Sequence, residues 1–111
     1  MFDVYNGITL YKLKTRAYYQ YIETVKGNKY ISKFLAKRKL TRNIMLSKHI
    51  YTEYDYYSGD VFFELFLYGS LLIRVENDVI VQVKNHRRRD DNWELDKEYY
   101  NYLSKILDLW G

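Results

Sequence analysis

Acid–base chemistry in this 111-residue chain would depend on its two histidines, His49 and His86. A histidine beside a carboxylate such as Glu53 or Glu64 could move protons during cleavage of RNA, as in a small nuclease. The spacing of these residues matches no catalytic motif, and the sequence has no Ser-His-Asp arrangement, glycine-rich phosphate loop or metal-ligand pattern. We therefore predict a non-enzymatic protein without catalytic residues, metal or cofactor.

Phosphate binding is the chemistry that the basic residues suggest. Between Thr24 and Thr52, eight Lys and Arg residues occur without any Asp or Glu. The residues that could contact phosphates lie close together: Lys33, Lys37, Arg38, Lys39 and Arg42. The interleaved rings of Tyr30 and Phe34 could stack on bases, as in proteins that bind single strands. The alternative is a solvated helix face whose lysine stems cover apolar surface.

A second basic cluster is the triplet Arg87, Arg88 and Arg89, which is followed at once by Asp90 and Asp91. Three guanidinium groups on a loop could bind phosphates or a carboxylate-rich protein surface, because their planar forks match both groups. The alternative is local pairing with the two aspartates.

Fourteen tyrosines give the chain more aromatic surface than one small core can bury. Exposed tyrosine is enriched at protein interfaces because it adds contact area at a low cost in side-chain entropy. The aromatic residues for which we predict partner contacts are Tyr51, Tyr57, Phe62 and Phe66. The alternative is that codon usage in an AT-rich genome places Tyr where Phe or Leu would otherwise stand.

The two halves of the chain carry opposite charge. Residues 1–50 hold eleven Lys and Arg against two acids, a net +9, and residues 51–111 hold seven against twelve, a net −5. Such a division could orient a charged partner, or it could only reflect attraction between the halves.

Length and composition limit the class of protein. A chain of 111 residues with 48% hydrophobic residues predicts one domain with one modest core. The absence of Cys excludes disulfides, thiol catalysis and zinc-thiolate sites. No apolar run approaches the roughly 18 residues that span a bilayer, and the N-terminal sequence does not resemble a signal peptide. We therefore expect a cytoplasmic protein without membrane contacts.

The N-terminal half of the sequence predicts helices followed by a strand. Residues 9–25 place apolar side chains at three- and four-residue spacing, which is typical of an amphipathic helix. The alternative is a hairpin across residues 9–35, because Tyr, Ile and Val favour strands. Asn28 could cap a second short helix that runs to about Lys39. Residues 40–47 alternate in polarity and predict a strand.

The longest apolar run, Asp60 to Lys84, predicts three consecutive antiparallel strands, preceded by a strand that begins near Ile50. Their register follows if Ser58-Gly59 forms a two-residue loop and residues 68–70 and 76–78 form three-residue loops. In this register the core face is built on Phe63, Leu65, Ile73 and Val81. The opposite face carries Phe62, Phe66, Leu72 and Ile80, which a helix or a partner must cover.

The C-terminal sequence predicts a polar loop over residues 85–92 and then a helix that begins at Asp91. Its apolar stripe is Leu95, Tyr99, Leu103, Ile106 and Trp110. The predicted fold class is therefore α+β: one or two N-terminal helices, an antiparallel meander sheet of four or five strands and a C-terminal amphipathic helix. We expect a single domain over residues 1–111.

In size and character the chain resembles small accessory proteins of phages and mobile elements. The features it shares with them are a single domain without catalytic motifs, many Tyr and Lys, and a meander such as YSGDVFFELFLYGSLLIRVENDVIVQV, residues 57–83. Anti-CRISPR proteins and other counter-defence inhibitors are similar in size and build. The resemblance implies a non-enzymatic inhibitor or adaptor that binds a protein, such as a nucleic-acid-handling effector of the host cell, and occludes it. The alternative hypothesis is a small basic nucleic-acid-binding module.

Overall fold

A computed structural model of the chain describes residues 3–86 and 93–109. The elements in this part follow the order β1 (Val4–Tyr5), β2 (Ile8–Thr9), β3 (Lys12–Leu13), α1 (Thr15–Thr24), α2 (Lys33–Leu46), β4 (Lys48–Tyr54), β5 (Val61–Tyr68), β6 (Leu71–Glu76), β7 (Val79–Asn85) and α3 (Lys97–Ile106). β1 and β2 pair in a small antiparallel sheet, and the other strands form a sheet in the order β3-β7-β6-β5-β4.

The larger sheet is a meander with one added strand. β4 to β7 pair in sequence order and antiparallel, which confirms that part of the prediction. β3 joins β7 in parallel, with Lys12 and Leu13 opposite Val79 and Ile80. The fold is therefore α+β, but its sheet is mixed rather than purely antiparallel.

Helix α1 begins at Thr15, later than the helix predicted over residues 9–25. The preceding segment is extended because its backbone pairs with β7, where the Lys14 N–H donates to the carbonyl of Ile80 at 3.0 Å. The apolar pattern still identified core positions, since Leu10, Leu13, Ala17 and Tyr21 are all buried. The alternative of a hairpin across residues 9–35 is wrong, because α1 occupies its first arm.

Helix α2 runs without a break through the residues 40–47 that were predicted to form a strand. Its N-cap is Ser32, whose Oγ accepts the Leu35 N–H at 3.1 Å, so the prediction of a cap at Asn28 is wrong. The residues of α2 that enter the main core are spaced by four: Ala36, Leu40 and Ile44. The alternation was misleading because the spacing of Leu40 and Ile44 fits both the two-residue period of a strand and the four-residue spacing of a helix. No Gly or Pro interrupts the helix in this segment.

The connection between β4 and β5 is longer than predicted. Tyr54 pairs with Val61, so the loop spans residues 55–60 rather than the two residues Ser58-Gly59. Asp55 causes this difference, because its Oδ1 accepts the N–H groups of Tyr57 and Ser58, both at 2.9 Å. A side chain that bonds to the backbone ahead of it stabilises a local turn in place of further strand pairing.

The other two turns are shorter than predicted. Tyr68 pairs with Leu71 and Glu76 with Val79, so Gly69-Ser70 and Asn77-Asp78 are two-residue loops. Asn77 and Asp78 both have positive φ, 50° and 62°, as a type I′ turn requires. Gly69 supplies the positive φ in its own turn. The three-residue loops predicted at residues 68–70 and 76–78 are therefore wrong.

These turns reverse the predicted faces of β5 and of the start of β7, whereas β6 keeps its predicted faces, with Ile73 buried and Leu72 on the other side. The buried face carries Leu71, Ile73, Val75, Ile80 and Val83, and α1 and α2 pack on it. Phe66 pairs with Ile73 and packs partly buried against this core. Of the predicted core residues only Ile73 is on this face, because Phe63 and Leu65 alternate to the other one and a register shift displaces Val81.

Helix α3 begins at Lys97, later than the start predicted at Asp91. Asp96 is its N-cap and accepts the Tyr99 N–H at 3.1 Å. Leu103 is fully buried, which confirms the middle of the predicted apolar stripe, whereas Tyr99 of the same stripe is exposed. Leu107, which follows the helix, is also fully buried. Asp91 and Trp110 lie outside the described residues.

Candidate partner-binding surface

The end of the β4–β5 hairpin projects aromatic side chains into solvent. Tyr56 and Tyr57 in the connecting loop are 91% and 94% exposed. The two adjoining strands add four more exposed residues: Tyr51, Tyr54, Val61 and Phe62. We call these six residues the hairpin patch. Grouped exposure of large apolar side chains is typical of a surface that contacts another molecule.

The loop that carries the two tyrosines has a defined shape. The Asp55 N–H donates to the carbonyl of Asp60 at 2.7 Å, and the Gly59 N–H donates to the carbonyl of Asp55 at 2.9 Å. The N–H groups of Ser58 and Tyr57 also donate to the Asp55 carboxylate, and they lower its pKa. The rings of Tyr56 and Tyr57 lie edge to face, 5.2 Å apart. The aromatic groups are thus presented by an ordered turn, which reduces the entropy lost on binding.

The residues beside the hairpin patch along the chain are acidic. From His49 to Ile73 the chain has no Lys or Arg. The carboxylates in this interval are Glu53, Asp55, Asp60 and Glu64. The Tyr51 hydroxyl donates to the Glu53 carboxylate, and this hydrogen bond raises the Tyr51 pKa. Phenols and carboxylates at one end of the molecule suit a positively charged partner.

The patch continues onto the sheet face that lies opposite the core. The Tyr51 and Phe62 rings lie 5.8 Å and 5.6 Å from the ring of Phe63. The Arg74 guanidinium lies over Phe63 at 3.9 Å and also donates to Glu76 at 2.8 Å. Phe63, Leu65 and Leu72 on this face are partly exposed. A partner that docks at the hairpin could therefore extend its contact along the sheet.

The predicted aromatic contacts do not all lie in one place. Tyr51, Tyr57 and Phe62 belong to the hairpin patch, whereas Phe66 packs against the core. The ring of His49 lies 5.4 Å from Phe66, and its Nε2 lies 3.6 Å from Glu64. His49, on the edge strand β4, thus has the carboxylate neighbour that acid–base chemistry would need, but both its side chain and that of Glu64 on β5 are open to solvent. Among the described residues, no group of three metal-ligating side chains is close enough to hold a metal ion.

The basic residues of α2 are largely engaged within the protein. Lys37 forms an ion pair with Asp3. The Arg38 guanidinium donates to the carbonyl of Leu107 at 2.9 Å and lies over the rings of Tyr5 and Phe34 at 4.9 Å and 5.3 Å. These contacts join α2 to β1 and to the end of α3. Both cations therefore have a structural role.

The remaining bases of α2 differ in exposure. Lys33 is exposed, and its Nζ donates to the Thr15 hydroxyl at 3.2 Å. Lys39 is partly buried and donates to Asn28 at 2.7 Å. Arg42 is only 8% exposed. The five bases therefore do not form one continuous exposed row along the helix.

The second basic cluster, Arg87 to Arg89, lies outside the described residues, so its role stays a prediction. In the described portions of the chain, no helix has the length and apolar character that would cross a bilayer.

Sequence reasoning missed Tyr54, Tyr56 and Val61 as members of the exposed surface. The predicted register paired Tyr56 with Val61 inside the sheet, which would have removed both from solvent. The position of Asp55, two and three residues before the N–H groups it accepts, was the signal for a local turn.

The comparison with known proteins gives a family for the chain. The profile of the YorE family matches residues 11–106, which include all three helices and the whole five-stranded sheet. YorE is a name typical of small phage-encoded proteins. No curated protein and no solved structure matches the chain. Because the profile covers most of the sequence, the chain belongs to the YorE family.

Proposed function

We propose that this protein is a non-enzymatic inhibitor or adaptor that binds a basic protein surface through its hairpin patch. The observation that carries the proposal is the pair Tyr56 and Tyr57, almost fully exposed on a loop that Asp55 holds in shape. Tyrosines at an interface supply large contact area with few rotatable bonds. Burying about 100 Å² more of each ring would contribute roughly 2.5 kcal/mol per ring before the costs of association.

The charge of the patch supports a partner that handles nucleic acid. Such effectors carry basic grooves for phosphates, and the carboxylates between His49 and Ile73 would be attracted to the same grooves. Occupation of the groove would exclude the nucleic acid. Inhibition of a host-defence effector in this way, as by an anti-CRISPR protein, agrees with a family name typical of phage proteins.

The alternative is a nucleic-acid-binding module that uses α2 and the arginine triplet. The contacts of Lys37, Arg38 and Arg42 within the fold make this alternative the weaker one. The exposed cations near the start of α2 are Lys26, Lys29 and Lys33.

A gel-shift titration at two salt concentrations separates the two functions. A phosphate-binding module would shift DNA or RNA at low salt and lose affinity steeply as salt rises. We expect no shift at micromolar protein in low salt. A salt-dependent shift would contradict the proposal and support the alternative.

A competition experiment tests the proposed mode of action. The tagged protein is incubated with nuclease-treated lysate of the native host, and captured protein is then challenged with duplex DNA or with RNA. We expect a captured partner that nucleic acid displaces, because both ligands occupy one basic surface. Failure to capture any partner from the nuclease-treated lysate, or capture that excess nucleic acid leaves unchanged, would contradict occlusion.

A further inference from the structure

A cavity of about 500 Å³ opens beside the β5–β6 turn, at the opposite end of β5 from the hairpin patch. The rest of its wall comes from α1, α2 and the connection between them, from the end of β7, and from Trp93 and Leu95. Its polar lining includes Asn28, Lys39, Arg42 and Asn43, and its aromatic lining includes Tyr68 and Trp93. This volume lies within the range of pockets that hold small organic ligands.

The wall of this cavity contains a buried cation, Arg42, that has no acidic partner in the described part of the chain. Arg42 donates to Asn43 Oδ1 at 3.3 Å and Ser104 Oγ at 3.4 Å, and it lies over the Tyr100 ring at 4.7 Å. Among the residues with described positions, every hydrogen-bond partner of Arg42 is neutral. A buried charge is usually paired, because an unpaired one loses its hydration without compensation.

A second cation lies beside the first. The Lys39 Nζ donates to the amide oxygen of Asn28 at 2.7 Å, which is also a neutral partner. Burial and the positive charge of Arg42 both lower the pKa of Lys39. Two like charges thus line one cavity whose described lining contains no carboxylate. An anion in the cavity would relieve their repulsion and restore charge pairing.

The aromatic side of the cavity is fixed in place. The Trp93 indole N–H donates to the carbonyl of Leu46 at 3.2 Å, and its ring meets Tyr68 edge to face at 5.1 Å. A side-chain N–H held in this way keeps an apolar ring in one orientation. The wall therefore offers a flat apolar surface close to two cations.

From this arrangement we infer that the cavity binds a small organic oxyanion, in which a carboxylate or phosphate group is attached to a compact planar ring. Lys39 and Arg42 pair with the oxyanion, and Trp93 and Tyr68 contact the ring. The site is independent of the hairpin patch, and its failure would leave the proposed function unaffected.

Isothermal titration of the full chain with four compounds tests this site. Benzoate and phenyl phosphate carry both parts of the ligand, inorganic phosphate lacks the ring, and phenol lacks the charge. We expect saturable binding of benzoate or phenyl phosphate, and binding about tenfold weaker for phenol and inorganic phosphate. Tighter binding of benzoate would indicate a carboxylate site, and tighter binding of phenyl phosphate would indicate a phosphate site. The inference would be overturned if phenol bound as tightly as benzoate and phenyl phosphate, or if no compound showed saturable binding at millimolar concentration.

Two matched variants locate the binding. Lys39→Met removes one cation from the cavity and keeps the length of the side chain, and Lys33→Met makes the same change on the exposed part of α2. We expect Lys39→Met to weaken binding about tenfold or more and Lys33→Met to leave it unchanged. Circular dichroism verifies that both variants fold. Equal affinity of the two variants would place the anion elsewhere and overturn the inference.

Discussion

At the scale of single residues, Asp55 decides where the aromatic rings lie. Its carboxylate accepts two backbone N–H groups and so ends β4 before Tyr56 and Tyr57 can enter the sheet. Both tyrosines consequently lie on a loop and are exposed to solvent. A residue that could extend the strand would favour the two-residue loop that alternation alone predicts.

We predict that Asp55→Ala lowers the thermal unfolding temperature at neutral pH and weakens partner binding, because the loop loses its acceptor. The lowered pKa of Asp55 means that its stabilisation is present above pH 3.8 and disappears as pH falls through the still lower folded-state value. The destabilisation by Asp55→Ala should therefore vanish in strong acid, as measured by thermal melts across pH.

Asp60→Ala is the matched control, since it removes a carboxylate from the same loop but not the acceptor of these bonds. An equal loss in the two variants, or a loss for Asp55→Ala that persists in strong acid, would show that the side-chain bonds of Asp55 do not hold the loop.

At the scale of secondary-structure elements, the sequence identifies most elements but assigns some boundaries and faces wrongly. Apolar spacing found the buried residues of α1, Ala17 and Tyr21, because its apolar side chains lie on one face. In α3 it found Leu103, whereas Tyr99 of the predicted stripe is exposed. It failed over residues 40–47, where burial on several sides of α2 removes any clear stripe. It also assigned β5 and the start of β7 to the wrong faces, because a change of one residue in a loop moves the side chains of the adjoining strand to the other face of the sheet.

The candidate site was harder to predict than the fold. Composition indicated exposed tyrosines, and three of the predicted contacts, Tyr51, Tyr57 and Phe62, are in the hairpin patch. The bases of α2 could not be assigned from sequence, because only tertiary contacts show that Arg42 is buried and that Lys37 pairs with Asp3. A run of cations has the same sequence pattern whether it faces solvent or the core.

We predict that Ser32→Ala lowers the free energy of unfolding by about 1 kcal/mol, because α2 loses its N-cap acceptor. Ser32→Asp keeps an acceptor at this position and should retain most of the stability. Urea unfolding of the two variants measures the difference. If Ser32→Ala unfolds at the same urea concentration as the parent, α2 does not begin at this cap.

We predict opposite effects for two substitutions in the β6–β7 turn. Asp78 has a φ of 62°, which Gly adopts readily and a β-branched residue does not. Asp78→Gly should stabilise the protein by about 0.5 kcal/mol, and Asp78→Val should destabilise it by about 1–2 kcal/mol. Thermal melts of both proteins decide the matter. Destabilisation by Gly together with tolerance of Val would contradict the two-residue turn.

At the scale of the whole molecule, one side edge of the sheet is closed and the other is open. The outer edge of β7 is covered in two places. The Gln20 side chain of α1 accepts the Val83 N–H at 2.9 Å, and the short strand β3 pairs with the first residues of β7. β4 is the strand at the opposite edge, and most of its side chains are exposed. The hairpin patch lies at this open side, so a large partner could approach it without displacing a helix.

The most direct test of partner binding through the hairpin patch compares two variants that remove exposed tyrosines. One carries Tyr56→Ser and Tyr57→Ser, and the control carries Tyr30→Ser at a site that is 90% exposed but belongs to the α1–α2 connection. Affinity for the captured host protein is measured for both by isothermal titration. We predict a loss of about tenfold or more for the double variant, roughly 1.4 kcal/mol, and no change for Tyr30→Ser. Unchanged affinity in the double variant, or an equal loss in both, would contradict the account.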